Sequence, residues 1–414
     1  MQAGDSPFLS PSSPSADRAG APAETLPVVV VGGGFGGLYT ALALTSRSGH
    51  PPVLLIEPND RFLFLPLLYE LLSGELRAWE IAPRYDSLLA GPGVGWLRDR
   101  VLSVHTDTRL VRTAAGHALP YSALVLATGS TENTAAVPGA AHHALTFRSL
   151  ADAERLGDVL RELGRREQPL QRLAIIGAGP TGVELACKVA DMLRGACVVE
   201  LIEQGDQVLP RSKAFNREQA LSALRRRDVR LRLRTRVEEV RADRLTLLHP
   251  DGAEGMAPTS EDLPVRAVIW TAGLRFQPPH LVPAPPLEPS GRLRCHPDLR
   301  LEGHGEVFVV GDLASLASAD PFSGPPASAQ VAFQQASVAA RNVRSVLAGE
   351  PLEPFVWKDL GEMLSLGKGE ATLTGAGLTL AGPPAFALRR LAYLTRLPGL
   401  PQQLRVAAGW LADS

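Results

Sequence analysis

The chain has 414 residues, which is long enough for two or three domains with buried cores. Hydrophobic residues make up 45% and charged residues 21% of it, and the formal net charge is -1. That balance argues against the broad basic surface that nucleic-acid binding requires. Cys187, Cys197 and Cys295 stand far apart without a CxxC or CxxxxC spacing, which argues against a zinc ribbon and a redox dithiol.

Residues 1–25 are predicted to form a disordered tail, because they are rich in Ser, Pro and Ala and poor in large apolar groups. They lack the basic start and apolar run of a secretory signal. Residues 26–46 carry no charge, but the glycines of "GGGFGG" would break a membrane helix there. A buried parallel strand, a tight turn and a helix explain this stretch better.

The stretch "VVVVGGGFGGLYTALAL" contains a dinucleotide-binding motif. Gly32 permits the turn, Gly34 lets the backbone approach a pyrophosphate, and Gly37 lets the helix pack on the strand. The next strand, "PVLLIEPND", ends at Glu57, whose carboxylate can accept hydrogen bonds from an adenosine ribose. Free N–H groups at the start of the helix suit the phosphates. Strand, helix and acid in register predict a nucleotide site.

The same pattern recurs in "QRLAIIGAGPTGVELACKVA", where the three glycines are Gly177, Gly179 and Gly182. The next strand ends at Glu203, so the chain is predicted to hold two dinucleotides. The alternative, that one copy is only structural, is less favoured because both copies keep every glycine and the acid. Glu203 would repel a 2′-phosphate and favour NADH, but Arg211 or Lys213 could still receive one, so NADPH stays open.

Two further strands, "YSALVLATGST" and "VFVVGDLAS", complete a resemblance to the flavoproteins with two dinucleotide-binding domains over roughly residues 26–350. The resemblance implies FAD at the first motif, the aspartate of "GD" on the ribityl chain, and the nicotinamide nucleotide at the second motif, which "VIWTAG" closes. The implied FAD-binding residues are Gly32, Gly34, Phe35, Gly36, Gly37, Glu57, Leu65, Pro66, Ala127, Thr128, Gly129, Gly311, Asp312 and Ala329. The implied NAD(P)H-binding residues are Gly177, Gly179, Pro180, Thr181, Gly182, Glu203, Ala272 and Gly273.

The positions of the cysteines exclude several classes of electron acceptor. Disulfide reductases of this superfamily carry paired cysteines, and the peroxidase and oxidase members carry one beside the flavin. The segment that follows Glu57, "PNDRFLFLPLLYELLSGEL", contains none. Electrons are therefore predicted to leave the flavin without a protein thiol, which also argues against a sulfide:quinone reductase.

The stretch "PASAQVAFQQASVAARN" resembles the A-Q-x-A-x-Q motif of the type II NADH:quinone dehydrogenases, where a helix meets the flavin. Gln330 and Gln334 are four residues apart and share a helix face, while Ala329 and Ala332 would let that face approach a flat ring. Amides can donate to quinone carbonyls without a charge that must be desolvated. The alternative is a helix whose glutamines only face solvent.

The resemblance continues beyond this helix. "RFLFLPLLYELLSGEL" is similar to the segment beneath the flavin, and residues 351–414 are most similar to the demethylphylloquinone and naphthoquinone reductases. Many type II enzymes have Asp-Lys-Gly where this chain has Asp359-Leu360-Gly361. A role of that lysine cannot be carried over, and Lys358 or Lys368 is an untested substitute.

Residues 386–411 alternate large apolar groups with Arg389, Arg390, Arg396 and Arg405. The arginines and Pro398 argue against a transmembrane helix, and a broken amphipathic hairpin lying on an anionic bilayer fits better. The alternative, in which the apolar stripe packs on the body or on a second subunit of a homodimer, stays open. The predicted location is the cytoplasmic face of the membrane, as a peripheral protein.

Taken together, the sequence predicts an α/β protein with two Rossmann-like domains and a partly helical, membrane-facing C-terminal region. The predicted boundaries are residues 26–150 and 284–350 for FAD, 151–283 for NAD(P)H and 351–414 for the tail. The predicted activity is a non-proton-pumping, FAD-dependent NAD(P)H:quinone oxidoreductase, with Glu184, Gln330 and Gln334 as candidate catalytic residues. Glu184 would lie where nicotinamide meets flavin, to orient the carboxamide or relay a proton. The alternative function is a soluble flavin reductase that donates to a carrier such as ferredoxin. No metal site is predicted.

Overall fold

The computed structural model describes residues 25–91, 93–165, 171–249, 258–316, 324–375 and 377–412. The predicted disordered tail, residues 1–25, lies outside the described residues except for its last position. The chain divides into two compact units. Unit 1 contains the described residues up to Phe62 together with Arg84–Ser130 and Phe276–Trp357. Unit 2 contains Leu63–Pro83, Thr131–Arg275 and the described residues from Lys358 onward.

Unit 1 is built on a parallel sheet whose central strands are buried along their whole length. Such strands read as continuous apolar runs because helices or a second sheet cover both faces. In order across the sheet, the strands are Val307–Val309, Ala123–Leu126, Val28–Val31, Val53–Ile56 and Val94–Leu97. A second sheet contains His280–Val282, Val101–His105, Leu110–Thr113 and Ala118–Pro120, and Leu293–Cys295 pairs with Ala314–Leu316. The helices are Phe35–Leu44, Tyr85–Leu89 and Ala329–Ala348, with a short 3-10 turn at Gly311–Leu313.

The helix Ala329–Ala348 packs on the helix Phe35–Leu44. It begins where the Ser328 hydroxyl accepts a hydrogen bond from the backbone N–H of Val331, and it ends at Gly349 in the left-handed conformation. Half of its buried residues are alanines, namely Ala332, Ala336, Ala339 and Ala340. Small side chains on this face let the two helices lie close together.

Unit 2 contains a second parallel sheet, with the strand order Arg230–Arg232, Cys197–Ile202, Gln171–Ile176 and Ala267–Trp270. One antiparallel sheet contains Arg236–Val240, Arg244–His249 and Thr259–Pro264, and another contains Glu362–Ser365, Ala371–Gly375 and Leu378–Gly382. The α-helices are Leu68–Leu72, Ala78–Ile81, Ala140–His143, Leu150–Leu163, Pro180–Leu193, Ala214–Arg226, Pro383–Leu394 and Leu400–Ala412. Short 3-10 turns occupy Leu65–Leu67 and Thr134–Ala136, and Ser130–Glu132 and Leu274–Phe276 are strands where the chain passes between units.

The predicted α/β class is confirmed, since each unit holds a parallel sheet that opens on a glycine-rich turn and a helix. The compact units group residues 63–83 and 131–150 with unit 2 and residues 351–357 with unit 1. The cofactor domains proposed from the sequence have other limits, and those limits stay a prediction.

The segment predicted to form an amphipathic hairpin, residues 386–411, lies in two helices, Pro383–Leu394 and Leu400–Ala412. The interpretation of Arg389 as an arginine of the membrane-facing surface is wrong, because this side chain is 1% exposed and forms an ion pair with the buried Glu70. Arg390 lies over the ring of Trp410, with 4.1 Å from the guanidinium carbon to the ring centre. No helix in the described part of the chain is both long enough and apolar enough to cross a membrane.

Candidate functional site

In unit 1, the turn after Val28–Val31 is built on contacts that only glycine allows. Gly32 has a φ of 96°, in the left-handed region. A Cβ on Gly37 would lie 1.8 Å from the carbonyl oxygen of Gly32, and a Cβ on Gly36 would lie 2.8 Å from a methyl group of Val310. The start of the helix Phe35–Leu44 is therefore held directly against the ends of two strands.

The acid at the end of the second strand is fixed at this turn. One carboxylate oxygen of Glu57 accepts a hydrogen bond from the backbone N–H of Gly33 at 2.7 Å. The other accepts from the backbone N–H of Asn59 at 2.9 Å and from its side-chain amide at 2.6 Å. At the same turn, the buried Tyr85 donates to the carbonyl of Gly33 at 2.7 Å. Tyr85 escaped the sequence analysis, because nothing near it in sequence indicates this contact.

Two other strand ends of unit 1 meet beside the turn. The backbone N–H of Ala127 donates to the carbonyl of Val31 at 2.8 Å, which places Ala127, Thr128 and Gly129 next to Gly32. The hydroxyl of Ser130 donates to the carboxylate of Asp312 at 2.6 Å. Gly311 and Asp312 are thereby brought to the same edge of the sheet.

The third glutamine of the helix Ala329–Ala348 holds this edge in place. Gln335 is 2% exposed, and its side-chain oxygen accepts from the backbone N–H of Gly311 at 2.7 Å. Gln330 and Gln334, the residues predicted to act on the acceptor, are half-buried, and Ala329 is the first residue of the helix. Sequence periodicity could have separated Gln335 from Gln334, because neighbouring helix positions point about 100° apart.

The residues of unit 1 fit an FAD pyrophosphate. A Cβ added to Gly34 meets no atom within 4 Å, so the backbone at the start of the helix is open to a ligand. No side chain caps this helix end, and the N-terminus of a helix attracts phosphate oxygens. Glu57 would face the adenosine ribose, and Asp312 would face the ribityl chain.

Unit 2 repeats this construction. A Cβ on Gly182 would lie 1.8 Å from the carbonyl oxygen of Gly177, whose φ is 100°. A Cβ on Gly177 would meet the Cα of Ala272 at 3.1 Å, so Ala272 and Gly273 also lie at this turn. The hydroxyl of Thr271 donates to the carbonyl of Ile176 at 2.7 Å and joins the two strand ends.

The second acid is held by the same kind of contacts as the first. Glu203 accepts from the backbone N–H of Ala178 at 2.7 Å and from that of Gly205 at 2.8 Å. A Cβ on Gly179 meets no atom within 4 Å, and Pro180 and Thr181 begin a helix without a side-chain cap. The residues of unit 2 therefore fit a second dinucleotide.

Other predicted site residues lie in a buried polar cluster of unit 2. Glu184 accepts from the backbone N–H of Ser365 at 2.8 Å, and burial raises its pKa to about 7. The carbonyl of Pro66, which neighbours Leu65, accepts from Arg389 at 2.7 Å. Arg389 also pairs with Glu70, which is fully buried. Neither Glu70 nor Arg389 was predicted for the site, although an arginine within an apolar helix is a signal for a buried partner.

The two lysines considered as substitutes for the missing one, Lys358 and Lys368, have exposed side chains. Unit 2 also contains a buried lysine, Lys188, which forms an ion pair with Glu75. Its position one turn after Glu184 on the same helix went unnoticed in the sequence. The charge of Lys188 is thus paired with that of Glu75.

The three cysteines are buried. Burial raises the pKa of Cys187 and of Cys295 to about 12, and that of Cys197 to about 11. Each is therefore a protonated thiol at neutral pH, a form that is a poor nucleophile.

Comparison with known proteins identifies the family. The family model for pyridine nucleotide-disulphide oxidoreductases matches residues 26–336. Demethylphylloquinone reductase NdbB of Synechocystis sp. is 38% identical over 395 residues, which cover 93% of this chain and 95% of that protein. The alternative NAD(P)H-ubiquinone oxidoreductase C1 of Arabidopsis thaliana is 36% identical, over 94% of this chain and 80% of that protein. The chain belongs to the pyridine nucleotide-disulphide oxidoreductase family.

A solved structure agrees with this family fold. NDH2 from Plasmodium falciparum in complex with NADH superposes with a TM-score of 0.80 at 16% identity, over 94% of this chain and 98% of that one. The prediction of a type II NAD(P)H:quinone dehydrogenase is confirmed at the level of the family. With it, FAD and NADH are confirmed as the cofactors of this oxidoreductase.

Replacing Gly34 with valine should abolish FAD binding without unfolding the protein. The structure has space for the valine side chain, but the pyrophosphate of FAD would need the same space. The purified Gly34→Val protein should be colourless and should keep the circular dichroism of the wild type. The matched change Gly179→Val should retain the yellow flavin and lower kcat/KM for NADH by about a hundredfold, the cost of an ångström-scale misplacement. Full flavin in Gly34→Val would contradict the assignment of the first site.

Replacing Glu203 with Gln should raise the use of NADPH relative to NADH, since a charge that repels the 2′-phosphate is removed. The expected change is about one to two kcal/mol in the ratio of the two kcat/KM values, at a half-buried position. Steady-state kinetics with both nucleotides measure it. Glu57→Gln, the equivalent change at the first turn, should leave the ratio as it is, and an unchanged ratio in Glu203→Gln would show that another group selects the nucleotide.

Proposed function

We propose that this protein oxidises NADH and reduces a membrane quinone through bound FAD, without pumping protons. The overall reaction takes a hydride from NADH and one proton from solution, and it yields NAD⁺ and the quinol. When bound, FAD supplies the ability to accept a hydride and to return two electrons. The protein's own residues have to bind the nucleotides, orient the quinone and provide the proton.

The observation that carries this proposal is the pair Gln330 and Gln334 on a helix that also holds the Gly311–Asp312 turn through Gln335. Both glutamines are half-buried and lie within the first two turns of the helix. Ala332 packs 3.5 Å from the Cβ position of Gly311, so this part of the helix lies directly on the turn assigned to the flavin. Two amide donors at that position suit the carbonyl oxygens of a quinone.

A naphthoquinone is the proposed substrate class. The demethylphylloquinone reductase of Synechocystis sp. is similar over almost the whole chain, and its name states a naphthoquinone-type substrate. The Arabidopsis thaliana relative is named for ubiquinone, which is a benzoquinone. A comparison of kcat/KM for the two quinone classes, with ferredoxin as a third acceptor, decides between them and the alternative of a protein carrier.

Glu184 is proposed to relay a proton in this reaction. It is buried, and its pKa of about 7 lets it hold a proton at slightly acidic pH and release it at slightly basic pH. A general acid works best when its pKa lies near the working pH. Because burial raises the pKa, protonated Glu184 predominates below pH 7, and proton supply should fall as the pH rises through 7.

The C-terminal helices are the proposed membrane contact, on the cytoplasmic face. Leu400, Leu404 and Leu411 share one face of the helix Leu400–Ala412 and are 64%, 61% and 79% exposed. Leu391 on the preceding helix is 56% exposed. Exposed leucines in a stripe are typical of a surface that lies in a bilayer interface.

Removing Gln330 and Gln334 together should separate the two half-reactions. In a Gln330→Ala, Gln334→Ala double variant, reduction of the flavin by NADH should stay close to normal. Reoxidation by a naphthoquinone should slow by roughly ten- to a hundredfold, the scale of one or two lost orienting hydrogen bonds. Stopped-flow absorbance of the flavin follows each half separately.

The control for this experiment is Gln335→Ala, which removes the contact with Gly311 and should weaken flavin retention instead. Equal slowing of both half-reactions in the double variant would indicate a damaged flavin site. Normal reoxidation would show that the quinone binds elsewhere, and the proposed function of the pair would be wrong.

Replacing Leu400, Leu404 and Leu411 with serine should weaken binding to vesicles of anionic phospholipid by about tenfold for each leucine, since each loses its apolar burial. Vesicle flotation measures the bound fraction. Leu378→Ser, at a leucine that is 49% exposed outside these helices, should bind as the wild type does. A triple variant that still floats would contradict the membrane contact, and a dimer that the same variant dissociates would assign the stripe to a second copy.

A further inference from the structure

Unit 2 contains three ionisable side chains that are almost completely buried and lie together. Glu70 is 0%, Arg389 is 1% and Glu184 is 6% exposed. One terminal nitrogen of Arg389 donates to a carboxylate oxygen of Glu70. The other donates to the carbonyl of Pro66 at 2.7 Å and lies 4.0 Å from a carboxylate oxygen of Glu184. The guanidinium is thus shared unequally between two acids.

The charges of this cluster do not balance when both acids are ionised. Two carboxylates and one guanidinium leave a net negative charge in a buried site, which is unfavourable. Arg389 makes its hydrogen bond to Glu70 and not to Glu184. Glu184 is therefore the acid that is short of a cation and that binds the extra proton.

Among the described residues, the other groups around Glu184 do not supply a second cation. Tyr69 and Tyr393 lie beside it, and burial raises the pKa of both phenols, so they are neutral. The ring of Tyr393 lies 4.8 Å from the guanidinium carbon of Arg389. The strand Glu362–Ser365 contributes the backbone N–H of Ser365, which donates to Glu184.

The helix that carries Glu184 offers two further groups. Thr181 hydrogen-bonds to Tyr69, one of the neighbours of Glu184. Lys188 is engaged by Glu75. Arg389 is the cation whose charge lowers the pKa of Glu184, against burial and the charge of Glu70, which raise it.

We propose that Glu70 and Arg389 are positioning residues for the proton of Glu184. By holding the guanidinium, Glu70 keeps Arg389 from pairing fully with Glu184, so that Glu184 exchanges its proton instead of remaining a permanently ionised partner. The inference deepens the proposed function, on which the catalytic use of this proton rests. In this proposal Glu70 competes with Glu184 for the guanidinium of Arg389.

The competition predicts changes of opposite sign. In Glu70→Gln, Arg389 loses its ionised partner and can pair with Glu184. The positive charge then stabilises the ionised form of Glu184, so the pKa of Glu184 should fall. In Arg389→Met, the cation is absent and the pKa of Glu184 should rise. Each change should be about one pH unit or more, the usual effect of a charge gained or lost within hydrogen-bonding range. Arg390→Met, on the same helix and packed on Trp410, should leave the pKa where it is.

The titration is measured on the full chain with FAD bound, by pH-difference infrared spectroscopy of the protonated carboxyl group. The band of Glu184 is the one that disappears in Glu184→Gln. Opposite shifts in Glu70→Gln and Arg389→Met support the proposal. Shifts in the same direction, or none in Glu70→Gln, overturn it.

A second variant covers the case in which Arg389→Met does not fold. Arg389→Lys keeps the charge but has one nitrogen instead of a fork, so it can serve only one acid at a time. In this background, Glu70→Gln should again lower the pKa of Glu184, and an unchanged value would overturn the proposal. The pH profile of quinone reduction is recorded in parallel. If the infrared titration shifts as expected while that profile stays in place, the positioning of the proton stands and the catalytic role of Glu184 is wrong.

Discussion

A helix can begin directly against the end of the preceding strand only where the residue at the contact is a glycine, which has no Cβ. This chain meets that condition twice: a Cβ on Gly37 or on Gly182 would lie 1.8 Å from the carbonyl oxygen of Gly32 or Gly177. The contact points the first N–H groups of each helix over the edge of its sheet. It also leaves room for Glu57 and Glu203 to bind the backbone of their turns, so both acids are oriented by the protein itself.

Much of this arrangement could be predicted because its requirements are local. Glycine spacing, an apolar strand and a terminal acid belong to one stretch of about thirty residues, and their geometry follows from the turn itself. The face shared by Gln330 and Gln334 follows from helix periodicity in the same way. By contrast, the pairing of Tyr85 with Gly33 joins positions 52 residues apart, and no spacing rule relates them.

The C-terminal helices show where composition misleads. An arginine among leucines reads equally well as a charge above a bilayer or as the partner of a buried acid. Arg389 is the second kind, and its partner Glu70 is 319 residues away in sequence. Only the fold reveals the pair. The leucines beyond it were interpreted from the same pattern, and Leu400 and Leu404 do remain exposed. A single segment thus contributes a core charge at one end and an apolar surface at the other.

The burial of all three cysteines has a consequence for how the protein withstands its own chemistry. Reduced flavins react with oxygen, so an enzyme of this kind works beside the peroxide that such a side reaction releases. Peroxide attacks the thiolate, and a pKa of about 11 to 12 leaves on the order of one thiol in ten thousand, or fewer, in that form at pH 7. Cys187, Cys197 and Cys295 are therefore chemically quiet, and the protein should tolerate aerobic turnover without a reducing agent to protect it.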